Sequence, residues 1–349
     1  YRVYKQRQAA FDVSLAELKD LPAVTTDGVR IDLMGNIEFA REITNLKDDG
    51  GDGIGLFRTE FLWLTSDHEP TEEEQFIEYR DAVVNGGGMP VTLRTFDLGA
   101  DKYTQERAMN PERNPFLGLR SIRYCLQNVT MFKRQLRAIL RASAFGTLRI
   151  MFPLVTSTFE LRQAKMILND VREDLQEEGI KFDPAIKTGI MVETPAAAVM
   201  ASSFAREVDF FSIGTNDLVQ YTLAVDRTNE KVAPLYTPAH PAVIRLIKDV
   251  VRSARRAEID VSLCGEVGGD PEFTMLLIGL GLRTLSVTPS RIPYLKRVVR
   301  SVDIGQCERL ARTVGSFDSE RQVAAFLRDR SRKMFPELFD GRSVDDPEA

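Results

Sequence analysis

A chain of 349 residues, 43% hydrophobic and 28% charged, is long enough to bury one large core or two ordinary ones, and its net charge of −5 argues against a general nucleic-acid surface. Cys125, Cys264 and Cys307 are odd in number and form no CxxC pair, and only His68 and His240 are present. That removes a disulfide framework, thiolate or histidine zinc sites and most serine triads from the leading ideas, and leaves acid–base chemistry to carboxylates, lysine, tyrosine or cysteine. No apolar run approaches the ~20 residues of a membrane helix, so no membrane insertion is expected.

Residues 1–20 mix charges with scattered apolar residues and read as a linker helix arriving from a domain upstream. With no initiator Met and no signal-peptide core, the chain is expected to be a piece of a longer cytoplasmic protein. Pro22 to Gly28 break that helix, and the main domain is expected over residues 21–322. Eight strand-like runs follow, at residues 30–37, 53–61, 90–98, 148–155, 188–194, 210–214, 260–266 and 284–289. Amphipathic segments lie between them at 37–49, 72–84, 158–178, 196–205, 241–257 and 271–280. Strand followed by helix, repeated eight times, predicts an α/β protein, a (β/α)8 TIM barrel. Residues 102–143 form an insertion after the third strand, helical over 131–144. A doubly wound sheet is the alternative, but no GxGxxG or GxxxxGK[ST] opens any of these helices. Residues 323–349 read as a charged helix over 323–334 running into a solvated tail, with no chemistry.

In a barrel of this kind the C-terminal ends of the strands share one mouth. The polar residues at those ends are Arg58 and Glu60, Arg94 and Asp97, Glu193, Asn216 and Asp217, and Cys264 and Glu266. The apolar run Phe210 to Ile213 empties into Gly214-Thr215-Asn216-Asp217, which brings together an amide, a carboxylate and backbone N–H groups. That set suits a hard divalent cation beside an anionic substrate, although Asp217 would also serve as a helix N-cap. Arg58 and Arg94, with Arg227 folded back from ten positions after Asp217, make a clamp for phosphate or carboxylate; singly, either could instead pair with Glu60 or Asp97.

Glu193 precedes a better cap, Thr194, and a better first helical residue, Pro195, so its carboxylate is read as pointing out of the mouth. With Asp217 it offers two oxygens, the number expected when Mg2+ is shared with a substrate phosphate and waters. A cysteine on an apolar strand is ordinarily a small core residue, but beside this mouth Cys264 can donate a proton or attack as a nucleophile. Cys125 and Cys307 fall on predicted helices and read as core. From the insertion, Lys102 and Arg120 are placed to reach substrate, Arg120 in the first turns of a helix that Asn114-Pro115 opens.

These motifs carry a family resemblance. Gly55 to Leu62, Leu93 to Lys102, Asn114 to Arg123, Gly189 to Ala197, Phe210 to Arg227 and Cys264 to Asp270 resemble, in order and spacing, the phosphoenolpyruvate-binding domain of the enzyme I family, which starts the bacterial sugar phosphotransferase system. The resemblance runs from about residue 18 to about residue 300. It implies a homodimeric barrel that binds phosphoenolpyruvate and Mg2+. Arg58, Arg94 and Arg227 would hold the phosphoryl group, Glu193 and Asp217 the Mg2+, and Asn216 the substrate, while Cys264 would protonate the enolate as pyruvate forms. Lys102 and Arg120 match positions near the family's site.

The resemblance also implies transfer of the phosphoryl group to a histidine on an N-terminal domain, and from there to the phosphocarrier protein HPr for sugar uptake. Neither His68 nor His240 stands in a motif like that of the acceptor, so the chain is expected to bind phosphoenolpyruvate without completing turnover alone. Ala100, where the family often has Gly, and the tail from Phe326 depart from the pattern and leave open the nitrogen-related enzyme I paralogue. Pyruvate phosphate dikinase and phosphoenolpyruvate synthase share the barrel, but residues 94–102 and the spacing around Asn114-Pro115 follow enzyme I. From other classes, a Mg2+-dependent aldolase or lyase would use the same carboxylates without obvious need of Cys264, and a phosphoenolpyruvate-sensing or dimerisation module would need no chemistry.

Overall fold

The computed structural model, which describes residues 15–98 and 112–338, closes eight parallel strands into a barrel in sequence order. They are β1 (Asp32–Ile37), β2 (Ile54–Arg58), β3 (Val91–Arg94), β4 (Leu148–Phe152), β5 (Lys187–Val192), β6 (Phe210–Ile213), β7 (Asp260–Leu263) and β8 (Thr284–Val287). Register pairs from Asp32 with Thr284 to Gly35 with Val287 close the ring between β1 and β8. Parallel strands covered on both faces read as unbroken apolar runs, and all eight expected runs are strands. Each strand is shorter than its run, however. The runs at 53–61, 90–98 and 260–266 outlast the hydrogen-bond ladder, so Glu60, Asp97, Cys264 and Glu266 stand in the turns just beyond the strand ends.

Helices return on the outside, and their starts follow local chemistry. Thr71 accepts from the Glu74 N–H while Glu74 accepts from Thr71, opening Glu72–Gly86; Gly87, at φ 63°, ends it. Ser157 and Glu160 repeat that capping box for Thr158–Glu177. Thr194 caps Pro195–Val199 as its sequence predicts, but the helix expected over 196–205 breaks at Met200 and resumes as Ala201–Phe204. The insertion supplies Ser121–Gln127 and Val129–Ser143. On the latter, buried Gln135 donates to Thr59 Oγ1 at 3.0 Å and accepts from the Phe96 N–H at 2.8 Å. One side chain thereby fixes the segments that carry Glu60 and Asp97.

The core divides in two. Most of it lies between the strands and the helices, while Leu56, Met151, Met191, Phe210 and Cys264 form a separate small cluster. Cys125 and Cys307 are fully buried on helices, as expected. The tail differs from its reading as a solvated helix. It starts at Glu320, runs to Met334, and buries Val323 and Leu327, with Phe335 buried just beyond; the boundary expected at residue 323 falls inside it. Charge on the other face hides an apolar pair spaced one turn apart. Leu327→Ala is therefore expected to cost about 2–4 kcal/mol in a urea titration; a loss below about 0.5 kcal/mol would return this helix to the solvated class.

Candidate active site

At the C-terminal ends of the strands lies a cavity of about 820 Å3, walled by Arg58, Arg94, Arg120, Arg227 and Arg291. Arg58 and Arg94 are register partners on β2 and β3, so two like charges start side by side. They separate by taking different carboxylates. Arg94 turns inward, where Nη2 contacts Glu60 Oε1 and Nη1 lies 2.7 Å from Asp97 Oδ2. Arg58 stays half-exposed, 3.4 Å from Glu38 Oε1. The sequence-based pairing of Arg58 with Glu60 or Asp97 is thus corrected: Arg94 holds both.

The charge chain continues through the insertion. Arg120 Nη2 lies 3.1 Å from Asp97 Oδ1 and 3.4 Å from Asp217 Oδ2, and its Nη1 donates to the Tyr221 hydroxyl at 3.3 Å. Pro115–Leu117 is only a single 3-10 turn, and Arg120 occupies the cap position of the next helix, Ser121–Gln127, rather than the first turns of one opened by Asn114-Pro115. Burial opposes the charge on Asp97, but Arg94 and then Arg120 outweigh it and hold the carboxyl at about 2. For Glu60 burial wins over Arg94 and raises the carboxyl, whose Oε2 has no hydrogen-bond partner among the described residues.

Asp217 is not a cap. Gly214 takes that position for Thr215–Leu223, and Asp217 sits in the first turn with its carboxylate toward Arg120. Asn216 is locked to the next turn, donating through Nδ2 to Glu266 Oε1 at 3.1 Å and accepting the Glu266 N–H at 2.9 Å. Arg227 folds back as expected, with Nη1 3.5 Å from the same Glu266 oxygen. Glu193 differs from its reading. It does not line the cavity but lies buried behind it, accepting the Leu154 N–H at 2.6 Å. Glycine at 214 makes the room, since a Cβ there would come within 2.9 Å of Glu193 Oε2.

Burial, then the charges of Asp217 and Asp97, push the Glu193 carboxyl well above its ordinary range, and burial also raises Asp217 against the pull of Arg120. Two buried carboxylates that each resist ionisation are what a divalent cation would relieve. Among the described residues no group of three or more His, Cys, Asp or Glu side chains is arranged to hold a metal alone. The pair therefore fits a hard cation that takes its remaining oxygens from substrate and water.

Cys264 lines the floor, just past β7, with its thiol directed to the Ile213 carbonyl at 3.6 Å. Burial among Leu56, Met151, Met191 and Phe210 pushes the thiol up to about 11, so it carries its proton at neutral pH. Lys102 lies outside the described residues. Sequence reasoning passed over Asn36 and Arg291. Asn36 donates to the Cys264 carbonyl at 3.0 Å and accepts from Ser286 at 2.6 Å, fixing the backbone beneath the thiol. The usable signal was a polar side chain at the end of the first run and a cation just after the eighth.

A (β/α)8 barrel with five arginines around a buried protonated thiol and a carboxylate pair belongs to the class that binds a small phosphate- or carboxylate-bearing substrate. Residues 13–304 match the family model for the PEP-utilising enzyme, PEP-binding domain, and the chain belongs to that family. It is 47% identical over 299 residues to a phosphoenolpyruvate-protein phosphotransferase of Haemophilus influenzae, covering 86% of this chain and 52% of that protein. To the phosphoenolpyruvate-protein phosphotransferase of Cupriavidus necator it is 45% identical over 339 residues, covering 95% and 57% respectively. The chain thus spans about half the length of the curated relatives it matches.

The raised carboxyl of Glu193 has a consequence for stability. Folding favours its protonated form, a contribution fully present below the ordinary carboxyl range and lost as pH rises through the raised value. Without metal, Glu193→Gln is expected to melt a few degrees above the native chain near about pH 8, with the gap shrinking toward about pH 5. An equal or lower melting temperature near pH 8 would mean that the site holds Glu193 comfortably as a carboxylate.

Proposed function

We propose that this chain is the phosphoenolpyruvate-binding and dimerisation part of a phosphoenolpyruvate–protein phosphotransferase, enzyme I of the sugar phosphotransferase system, working in the cytoplasm with Mg2+. In this reading residues 1–20 lead in from an N-terminal domain whose histidine accepts the phosphoryl group and passes it to HPr. The curated relatives bear this enzyme's name, which supports it over the dikinase and synthase readings. The observation that carries the proposal is the thiol of Cys264 opening onto the same cavity as Arg58, Arg94 and Arg227, with burial favouring its protonated form.

The geometry supports the roles that the family motif suggests. Arg94, braced by two carboxylates, presents a fixed guanidinium to the phosphoryl oxygens. Arg58 and Arg227 hold only long ion pairs, 3.4 and 3.5 Å, with partly or largely exposed carboxylates, and exchange them readily for a phosphate. Arg120 neutralises Asp97 and Asp217, and Asn216, aligned by Glu266, orients the substrate. Asp217 at the mouth and Glu193 buried behind it would hold Mg2+, which when bound would supply charge neutralisation for phosphoryl transfer. For Lys102, which lies outside the described residues, the family motif supports a contact with substrate.

As the phosphorus–oxygen bond breaks and the bond to the acceptor nitrogen forms, the electron pair stays on the three-carbon fragment as an enolate. The Cys264 S–H then delivers its proton to the methylene carbon, pyruvate results, and the thiolate is reprotonated from water.

The protonation half of this reaction needs no histidine domain and can be run backwards. With Mg2+, the chain is expected to exchange the methyl protons of pyruvate for deuterium in D2O, seen as loss of the methyl proton NMR signal, and Cys264→Ala to slow that exchange at least about 100-fold. Exchange at the native rate in Cys264→Ala would sink the assignment of the proton donor.

A further inference from the structure

A second cavity, of about 550 Å3, opens between the last turns of the helix Pro241–Arg256, the end of Pro271–Gly279 and the helix Ile304–Val314. The first two helices run back from the mouth and end just before β7 and β8, which sets this cavity at the opposite end of the barrel. Lys248, Arg252, Arg255 and Arg256 from one helix and Arg312 from another line it, and Glu308 is the one carboxylate among its lining residues.

These cations are poorly compensated. Among the described residues Arg252 and Arg312 hold only long pairs with neighbours on their own helices, Asp249 at 3.5 Å and Glu308 at 3.9 Å, which contribute little in water. Lys248, Arg255 and Arg256 have no ion pair among the described residues. Behind them, among the described residues, Arg283 donates only to the Ile278 and Leu282 carbonyls, at 2.9 and 2.8 Å, and burial and then the Arg255 charge pull its guanidinium below its ordinary value. Complementing a helix dipole accounts for Arg255 and Arg256, which lie in the last turn. It does not account for Lys248 and Arg252 further up, for Arg312 on another helix, or for the concavity they share.

The floor of the cavity is firm and apolar. Gly279 brings two helices into direct contact, since a Cβ there would collide with the Cys307 carbonyl oxygen, and Val251, Leu280 and Ala311 line the space beside it. On a chain of net charge −5, five cations gathered in a concave site focus a local positive field.

We propose that this cavity is a second anion site, separate from the mouth, that binds a small molecule carrying two or more phosphates. Its volume lies within the range of small-ligand sites, and cations on two helices can engage such a ligand from both sides. The proposal is independent of the phosphoenolpyruvate reading, because none of its residues lines the mouth.

Inorganic pyrophosphate is the probe, titrated calorimetrically into the 349-residue chain, with hydrogen exchange to locate it. Pyrophosphate also suits the arginines of the mouth, so location decides. The proposal predicts protection over residues 248–256 and 279–283, affinity at that site weakened about tenfold or more by the double change Arg255→Glu and Arg256→Glu, and weakening with added salt. The milder Lys248→Gln, which leaves the helix C-terminus intact, is expected to weaken binding several-fold. Protection confined to the mouth, or unchanged affinity at the distal site in Lys248→Gln and in the folded double variant, would overturn it. So would capture of duplex DNA by these residues with no protection by pyrophosphate.

Discussion

Arg94, held between Glu60 and Asp97 and continued through Arg120 to Asp217, is the interaction on which the site depends. It ties the ends of β2, β3 and β6 to the insertion after β3, adding a charged link to strand ends that the closed barrel already sets around one mouth. Its members are almost wholly buried, so each charge is tolerable only while its neighbours are present. Removing one partner of such a buried pair generally costs about 3–5 kcal/mol, more than a surface pair could replace. That interdependence also makes the mouth a preorganised cationic surface, already oriented before any anion arrives. Gln135 reinforces it from behind by fixing the backbone on which Glu60 and Asp97 stand.

Packing and chemistry meet again at Cys264. Leu56, Met151, Met191 and Phe210 fill one small cluster of the barrel core, and the same apolar surroundings raise the thiol to about 11. A residue that contributes to the core thereby keeps its proton at neutral pH. Asn36 of β1, itself held by Ser286 of β8, bonds the Cys264 carbonyl, so the β1–β8 closure of the barrel helps to set the position of the thiol.

The barrel was legible because parallel strands buried on both faces leave continuous apolar runs, and the mouth because charges such as Arg94 and Asp97 interrupt those runs at their ends. What could not be read was pairing in space. Whether Arg58 or Arg94 takes Glu60 depends on which of two register partners turns inward, and both stand at the same point of their strands. The depth of Glu193 depends on Gly214, a residue on another strand end that gives way to it. Asn36 was passed over because its bonds run to Cys264 and Ser286, more than two hundred positions away. The buried face of the helix Glu320–Met334 was lost among its charges, since Val323, Phe326 and Leu327 stand in an otherwise strongly polar stretch and nothing local shows that the barrel's outer layer covers them.

On the proposed function, the buried charge chain and the Glu193–Asp217 pair form one site for a phosphate-bearing substrate together with a divalent cation. Calorimetric titration of phosphoenolpyruvate into this chain, with and without Mg2+ and beside Asp217→Ala, tests it most directly. Binding that requires Mg2+ and is lost in Asp217→Ala is expected. Equal binding with and without Mg2+, unchanged in Asp217→Ala, or no binding under any of these conditions, would contradict it.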